Sequence, residues 1–186
     1  MSPPKDRNRI LPLEPKATAG KTKQIFNEMQ AKFGMVPNLF RVLGNAPAAL
    51  EAYVNFSSAL ASGSFDTRVQ EQIGLTVAEC NLCDYCLGAH TFIGGKVGLT
   101  REEIADAIRA RAADPRTDAI LKLARSIIIQ RGEVTNSDLQ HTRDAGLTDA
   151  EIVETVANVV LNIFMNYVDH VARTAVDFPE VEPDAV

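Results

Sequence analysis

This 186-residue sequence contains no uninterrupted apolar run of the roughly 18 residues that a membrane-spanning helix requires. Its first residues carry charge, but no apolar segment follows them as in a secretory signal. These absences argue against the membrane-spanning and secreted classes. The expected location is therefore the cytoplasm, with no membrane partner.

The sequence also lacks a cluster of positive charge. It has 19 Lys and Arg residues against 24 Asp and Glu residues, which gives a net charge of −5 and a pI near 5.2. Sequence-independent binding to nucleic acid phosphates requires a cluster of positive charge. We therefore expect no nucleic acid partner.

No convincing stretch of alternating apolar and polar residues is present, so the sequence gives no sign of β-strands. Apolar residues instead recur at helical spacing, and they make up 46% of the chain. We predict an all-α fold of about eight to ten helices around one core. Residues 1–16 are predicted to be a flexible, proline-broken arm, residues 17–178 a single helical domain, and residues 179–186 a C-terminal tail.

One predicted helix begins at Asp66 or Thr67 and is apolar on two sides. Its first row consists of Val69, Ile73, Val77 and Cys80, and its second row consists of Glu71, Leu75, Ala78 and Leu82. A helix that is apolar on two sides is mostly buried. We therefore expect Glu71 to be partly desolvated and Cys80 to be a small buried packing residue.

Cysteine is scarce, and all three cysteines lie with one histidine between Cys80 and His90. In a reducing cytosol, cysteines this close are more often redox-active or metal-binding than structural disulfides. If the segment is helical, Cys83, Cys86 and His90 lie within about 60° of one another around the axis. The two thiols and the imidazole then share one face of the helix.

A Cys-x-x-Cys pair in the first turn of a helix favours a thiolate, because exposed N–H groups and the helix dipole stabilise negative charge. Such a thiolate attacks a peroxide or a disulfide, and the partner thiol then closes a disulfide. His90 is placed to accept the thiol proton, and a carboxylate would orient its imidazole. Glu71 is the candidate carboxylate.

Three other interpretations compete with a redox pair. A thioredoxin-like domain needs a βαβ context that this sequence lacks. A zinc or iron–sulfur site would use Cys80, Cys83, Cys86 and His90, but one helix rarely surrounds a metal ion tetrahedrally. Inert buried cysteines are the third possibility, although Tyr85 and His90 would be unusual fillers for a dry core.

Glu71, Cys83, Cys86 and His90 occupy the fixed positions of the pattern Glu-x11-Cys-x-x-Cys-x3-His. This pattern resembles the signature of the alkylhydroperoxidase D-like branch of the carboxymuconolactone decarboxylase family. The phrases Lys-Phe-Gly-Met-Val-Pro-Asn-Leu-Phe and Asn-Tyr-Val-Asp-His-Val-Ala also resemble those of longer, peroxidase-related members. The resemblance covers residues 20–178.

The resemblance implies a helical homotrimer or homohexamer that reduces organic hydroperoxides without a metal or prosthetic group. It implies that Cys86 is the peroxidatic thiolate, that Cys83 is the resolving thiol, and that Glu71 and His90 form the proton relay. Tyr85 stands where the best-known branch has a histidine, so one member of that relay is either lost or replaced by the phenol. Because of this departure the lipoyl-linked reductant of that branch is not carried over, and the expected electron donor is a dithiol of unknown identity. The decarboxylase branch lacks the cysteine pair, which argues against decarboxylation.

The functional hypothesis is therefore a thiol peroxidase. A general thiol-disulfide oxidoreductase and a non-enzymatic redox sensor are the alternatives.

One feature outside the motif is a ridge of amides at Asn158, Asn162 and Asn166, four residues apart on an apolar helix. Such a ridge lies at a subunit interface or beside a wet cavity, and we favour the interface because Asn can fix register.

Overall fold

The computed structural model describes residues 8–178, and within this range the chain forms α-helices and no β-strand. The all-α prediction is therefore confirmed. The helices are α1 (Gly20–Phe33), α2 (Asn38–Leu43), α3 (Pro47–Leu60), α4 (Thr67–Cys80), α5 (Asp84–Lys96), α6 (Arg101–Ile108), α7 (Pro115–Ile129), α8 (Asn136–Asp144) and α9 (Asp149–Ala172), preceded by a 3-10 turn at Pro15–Ala17. None of these helices combines the length and apolarity needed to cross a membrane.

Local signals set the ends of most helices. Asp66 caps α4, with its Oδ1 accepting the Val69 N–H at 2.9 Å. Thr100 and Thr148 begin α6 and α9 with full capping boxes, in which the side chain of a glutamate three residues later returns to the threonine N–H. Gly34 ends α1 in the left-handed conformation at φ 77°, which an L-residue rarely adopts.

Helix α4 is the centre of the molecule, and it is buried from residue 72 to residue 78. Ile73, Leu75 and Val77 pack with α6, α7 and α9 in one apolar cluster. Ala78 belongs to a second cluster, which includes residues of α1, α2, α3, α5 and α9. The prediction that this helix is mostly buried is therefore confirmed, but its two apolar rows do not face separate clusters, because Leu75 of the second row packs with Ile73 and Val77 of the first.

One residue of the predicted second row is misplaced. Leu82 lies in the turn after α4, where it is 78% exposed and has φ 55°. The helix ends at Cys80, and Asn81 is its C-cap. A left-handed residue at this point reverses the chain at a cost of about 1 kcal/mol and lets α5 fold back along α4.

The described residues before α1 and after α9 contact the helices. The Arg9 N–H donates to the Ala172 carbonyl at 2.6 Å, and the Leu13 N–H donates to the Arg41 carbonyl at 3.1 Å. Asp177 accepts the Asn38 N–H at 2.7 Å and so ties the chain after α9 to the start of α2. Residues 1–7 of the predicted arm and the predicted tail at residues 179–186 lie outside the described residues.

Candidate active site

The site begins at the turn between α4 and α5. Cys83 is the N-cap of α5, and its Sγ accepts the backbone N–H of Cys86 at 3.3 Å. Cys86 is the third residue of the helix and therefore lies one turn from Cys83, on the same face. Both thiols are free and nearly fully buried, with 1% of Cys83 and 4% of Cys86 exposed.

The two thiols have opposite electrostatic surroundings. The pKa of Cys86 is lowered by a hydrogen bond from Cys83 and raised by burial. The nearby His90 and Asn166 also lower this pKa, so the net shift is downward. The same thiol–thiol hydrogen bond and burial raise the pKa of Cys83. The Asp169 carboxylate, 3.5 Å from the Cys83 Sγ, adds to that rise. Cys86 is thus the group poised to ionise, and Cys83 is the thiol that keeps its proton.

His90 and Glu71 are in direct contact. The His90 Nδ1 lies 2.7 Å from the Glu71 Oε2, and both side chains are largely buried, at 20% and 14% exposed. Burial lowers the pKa of His90, but the carboxylate of Glu71, the Cys86 sulfur and Asn162 together raise it above its ordinary value. The arrangement favours an imidazolium next to a thiolate.

Gly74 makes the contact between α4 and α5 possible at this level. A Cβ at this position would lie 2.4 Å from the His90 Cε1 and 2.5 Å from its Nδ1, where no real contact is found. The imidazole therefore lies flat against the backbone of α4, one turn from Glu71. Gly74 was not among the predicted site residues, although a glycine inside a helix costs about 1 kcal/mol and signals a packing or functional reason.

The amide ridge of α9 also faces this site. Asn158, Asn162 and Asn166 are 2%, 8% and 1% exposed within the single chain. The interpretation of the ridge as a subunit interface is therefore wrong, because these side chains are buried within the protomer. Asn162 lies next to His90 and Asn166 next to Cys86, whereas the Asn158 amide donates to the Glu154 carbonyl of its own helix at 2.9 Å.

Tyr85 is on the same helix but turns away from the relay. Its hydroxyl donates to the Asp177 Oδ1 at 2.7 Å and accepts the Leu39 N–H at 3.1 Å. Burial raises the pKa of the phenol above its ordinary range. Tyr85 was predicted to substitute for a relay histidine, but the structure uses its hydroxyl to hold the segment after α9 against α2 and α5.

Cys80 stands apart from the other two cysteines. It was predicted to be a small buried packing residue, but it is half-buried and lines a cavity of about 960 Å³ between α4, α6, α7 and α8 together with Arg125. Burial raises the pKa of its thiol. Among residues 8–178, no three His, Cys, Asp or Glu side chains are arranged to hold a metal ion.

Two further residues of the site, Asp169 and Tyr53, were not among the predicted catalytic residues. Asp169 continues the amide ridge, since it follows Asn166 by three positions on the same face of α9, so the ridge pattern could have identified it. Tyr53 of α3 lies close enough to Glu71 and Cys86 that their charges, after burial, raise the pKa of its phenol. The sequence carries no local signal for Tyr53, because it reaches the site only through helix packing.

Residues 47–127 match the model of the carboxymuconolactone decarboxylase family. Among curated proteins, none matches the chain. This region contains the Glu71 carboxylate, both buried thiols and His90.

Solved structures share the fold over most of their length. An alkylhydroperoxidase AhpD core, an uncharacterized peroxidase-related protein from Ralstonia eutropha JMP134, is 23% identical, with 97% of this chain and 95% of that chain covered and a TM-score of 0.81. A peroxidase-related protein from Silicibacter sp. TM1040 is 21% identical, with 91% and 93% covered and a TM-score of 0.78. The debrominase Bmp8 in complex with 2,3,4-tribromopyrrole is 15% identical, with 92% of each chain covered and a TM-score of 0.78.

The family model and these structures support the predicted family, and the structures confirm the predicted fold. Residues 47–127 are similar to the carboxymuconolactone decarboxylase family, and the chain has the fold of the AhpD-like, peroxidase-related proteins.

Proposed function

We propose that this protein is a thiol-dependent peroxidase that reduces organic hydroperoxides through Cys86 and Cys83, with Glu71 and His90 as the proton relay. The observation that carries the proposal is the direct contact of the His90 Nδ1 with the Glu71 Oε2 at 2.7 Å, beside a thiol whose pKa is lowered. A nucleophile, a base and a group that orients the base are the parts that covalent catalysis by a thiol requires. The fold and family support a peroxidase-related protein at a coarser level.

The proposed reaction has two steps on the protein. The Cys86 thiolate attacks one oxygen of the hydroperoxide, the O–O bond breaks, and the departing alkoxide takes a proton from the His90–Glu71 relay to leave as an alcohol. The sulfenic acid on Cys86 is then attacked by the Cys83 sulfur, so that an S–S bond forms and water leaves with the Cys83 proton. A dithiol donor reopens the disulfide by exchange and is itself oxidised.

Burial favours a small substrate over a protein disulfide. Only 1% of Cys83 and 4% of Cys86 is exposed, so a sulfur on the surface of another folded protein cannot approach either thiol without a rearrangement. A hydroperoxide group on a slender molecule needs much less room. The dithiol donor must meet the same condition, which favours a thiol pair on a small or extended carrier.

The exposed side of α9 supports the proposal of a homo-oligomer. This stripe of apolar side chains, 40–67% exposed in the single chain, follows the three- and four-residue spacing of helix pairs and consists of Val153, Val156, Val160, Phe164, Tyr167 and Val171. An apolar stripe of this length is unusual on a monomer. We propose that a second copy of the chain covers it, with a trimer or hexamer as the assembly and the reducing cytoplasm as its location.

Peroxide consumption tests the proposal directly. The protein is mixed with cumene hydroperoxide, with and without excess dithiothreitol, and peroxide loss is followed together with mass analysis of the cysteine peptide. We expect sustained turnover with dithiothreitol and a Cys83–Cys86 disulfide without it. Cys86→Ser is expected to abolish both results, whereas Cys83→Ser consumes one equivalent and stops as a sulfenic acid that dimedone labels.

Cys80→Ser is the matched control, because this cysteine lies in the same segment but outside the site, and its activity is expected to equal that of the wild type. Turnover that survives Cys86→Ser would contradict the proposal. One equivalent of peroxide consumed by the wild type, with a disulfide that dithiols do not reopen, would favour the redox sensor. Exchange with a protein disulfide that is faster than peroxide reduction would favour the oxidoreductase.

A further inference from the structure

The amide of Asn162 has a fixed orientation. Its Nδ2 donates to the Asn158 backbone carbonyl at 2.9 Å, so its Oδ1 remains available to accept a hydrogen bond in the site. The His90 Nδ1 is already engaged by Glu71, which leaves the second ring nitrogen free. A hydrogen bond with Asn162 contributes to the raised pKa of His90, as expected of an oxygen that accepts from the imidazolium.

The amide of Asn166 is fixed in the opposite sense. Its Oδ1 accepts a hydrogen bond from the Nδ2 of Asn81 at 2.8 Å, so its own Nδ2 remains available as a donor. This Nδ2 is buried and has no hydrogen-bond partner of regular geometry among residues 8–178. An unpaired buried donor is costly, about 1–3 kcal/mol. The neighbouring Cys86 sulfur is the group whose pKa this amide lowers.

We propose, on the basis of the function proposed above, that Asn162 and Asn166 are positioning residues that hold Cys86 and His90 as a thiolate–imidazolium pair. Asn162 presents its oxygen to the imidazolium, and Asn166 presents its N–H to the thiolate. The two amides lie one turn apart on α9, so one helix supplies an acceptor to the cation and a donor to the anion. Asn81, the C-cap of α4, fixes the second of these amides.

Other charged and titratable groups face the pair from each helix around it. Glu71 of α4 stabilises the imidazolium, and the Cys83 thiol at the start of α5 stabilises the thiolate. Asp169 of α9 opposes the thiolate. Tyr53 of α3 is neutral, because burial and the charges of Glu71 and Cys86 raise the pKa of its phenol. The amides therefore act beside groups of both signs, and their effect is measurable only as a difference between variants.

The test is the pH dependence of the alkylation of Cys86 by iodoacetamide, with fragment mass analysis that separates its label from that of Cys83. It is carried out in the Cys80→Ser background so that the third thiol does not contribute. We expect Asn166→Leu to slow alkylation of Cys86 near pH 7 by about tenfold or more, since a hydrogen bond to a charged group is lost. Asn166→Asp should slow it further, because a carboxylate would stand beside the thiolate.

Asn81→Ala keeps the Asn166 amide but releases its orientation, so an intermediate loss is expected. Asn162→Leu is expected to slow alkylation by destabilising the imidazolium that favours the thiolate. The matched control is Asn158→Leu, which removes an equally buried amide one turn earlier on the same helix; melting temperature and circular dichroism report the folding of every variant. If Asn158→Leu slows alkylation as much as Asn166→Leu, or if Asn166→Leu and Asn81→Ala leave the rate unchanged, the inference is wrong.

This readout does not depend on peroxide turnover. If the wild type fails to reduce hydroperoxides but the variants show the expected order of alkylation rates, the peroxidase proposal is wrong and the role of the amides is supported. If the protein reduces hydroperoxides but Asn166→Leu does not change the alkylation rate of Cys86, the peroxidase proposal is supported and the role of the amides is wrong.

Discussion

Replacing Gly74 with alanine adds one methyl group where the His90 ring lies against α4. The new Cβ would lie 2.4 Å from the His90 Cε1, 2.5 Å from its Nδ1 and 2.7 Å from its Nε2. Carbon atoms in contact are ordinarily about 3.5–4.0 Å apart, so the ring must retreat by roughly 1 Å. The Nδ1–Oε2 distance of 2.7 Å to Glu71 has no room for such a shift, and that hydrogen bond breaks.

Activity and stability are expected to respond differently. A misplacement of about 1 Å in a catalytic group can lower the rate by about 10²-fold, and we expect a loss of this size in peroxide turnover. Overpacking costs about 1–3 kcal/mol, while alanine in place of glycine inside a helix returns about 1 kcal/mol. The net loss of folding free energy is therefore expected to be about 0–2 kcal/mol.

The assay is steady-state peroxide consumption together with chemical denaturation. Gly88→Ala is the matched control, since Gly88 lies inside α5 and a Cβ there meets nothing within 4 Å. This control is expected to keep full activity and to gain about 0.5–1 kcal/mol of stability. A Gly74→Ala protein with wild-type turnover would show that the close contact of the imidazole with α4 has no part in the reaction.

Four further substitutions test other contacts of the site, a helix cap and the exposed side of α9. Glu71→Gln should lower the pKa of His90, because the charge of the carboxylate no longer opposes the effect of burial, and should reduce turnover at neutral pH by about 10²-fold; an unchanged pH profile would contradict this. Tyr85→Phe should keep turnover within a few-fold but cost about 1–2 kcal/mol in chemical denaturation, since two hydrogen bonds of its hydroxyl are lost; loss of turnover at full stability would instead place the phenol in the relay. The pKa of Glu151 is lowered to about 2 by backbone and arginine hydrogen bonds, so Glu151→Gln should cost about 1 kcal/mol above pH 4.5. The difference from the wild type should shrink between pH 4.5 and about 2 as the carboxylate takes up its proton; a difference that stays constant over this range would contradict this. Val160→Glu should shift the mass measured by light scattering towards the monomer, because a charge enters the exposed stripe of α9; an unchanged mass would exclude this stripe as the interface.

The ends of the helices were predictable because their causes are local. Asp66 caps α4 at the position where the sequence predicted its start, and Gly34, Thr100 and Thr148 likewise act through hydrogen bonds or backbone angles within a few residues. The shared face of Cys83, Cys86 and His90 follows from the same arithmetic, since a helix fixes which side chains are neighbours. Nothing beyond chain geometry is needed for these predictions.

Contacts between helices were less accessible. The sequence placed Glu71 in a partly desolvated position, but its contact with His90 depends on how α4 and α5 pack, which Gly74 permits. The amide ridge was visible as a pattern, yet its direction depends on which face of α9 the core covers. Leu82 was misplaced because the helical spacing of apolar residues extends in the sequence beyond the residue at which the chain turns.

The assignment of roles to the two thiols shows why the Cys-x-x-Cys pattern is not sufficient by itself. The helix N-terminus favours ionisation of Cys83, the N-cap, by about 0.3–1 kcal/mol. Against this, Cys83 is 1% exposed and 3.5 Å from the Asp169 carboxylate, and an unpaired buried charge costs several kcal/mol. Cys86 has the opposite surroundings, with a thiol hydrogen bond, the imidazole of His90 and the amide of Asn166 all lowering its pKa. Hydrogen bonds to a charged group contribute about 1.5–3 kcal/mol each, so the tertiary neighbours outweigh the helix dipole. In the proposed reaction Cys86 therefore attacks and Cys83 resolves, and this order is determined by residues of α5 and α9 that surround the pair.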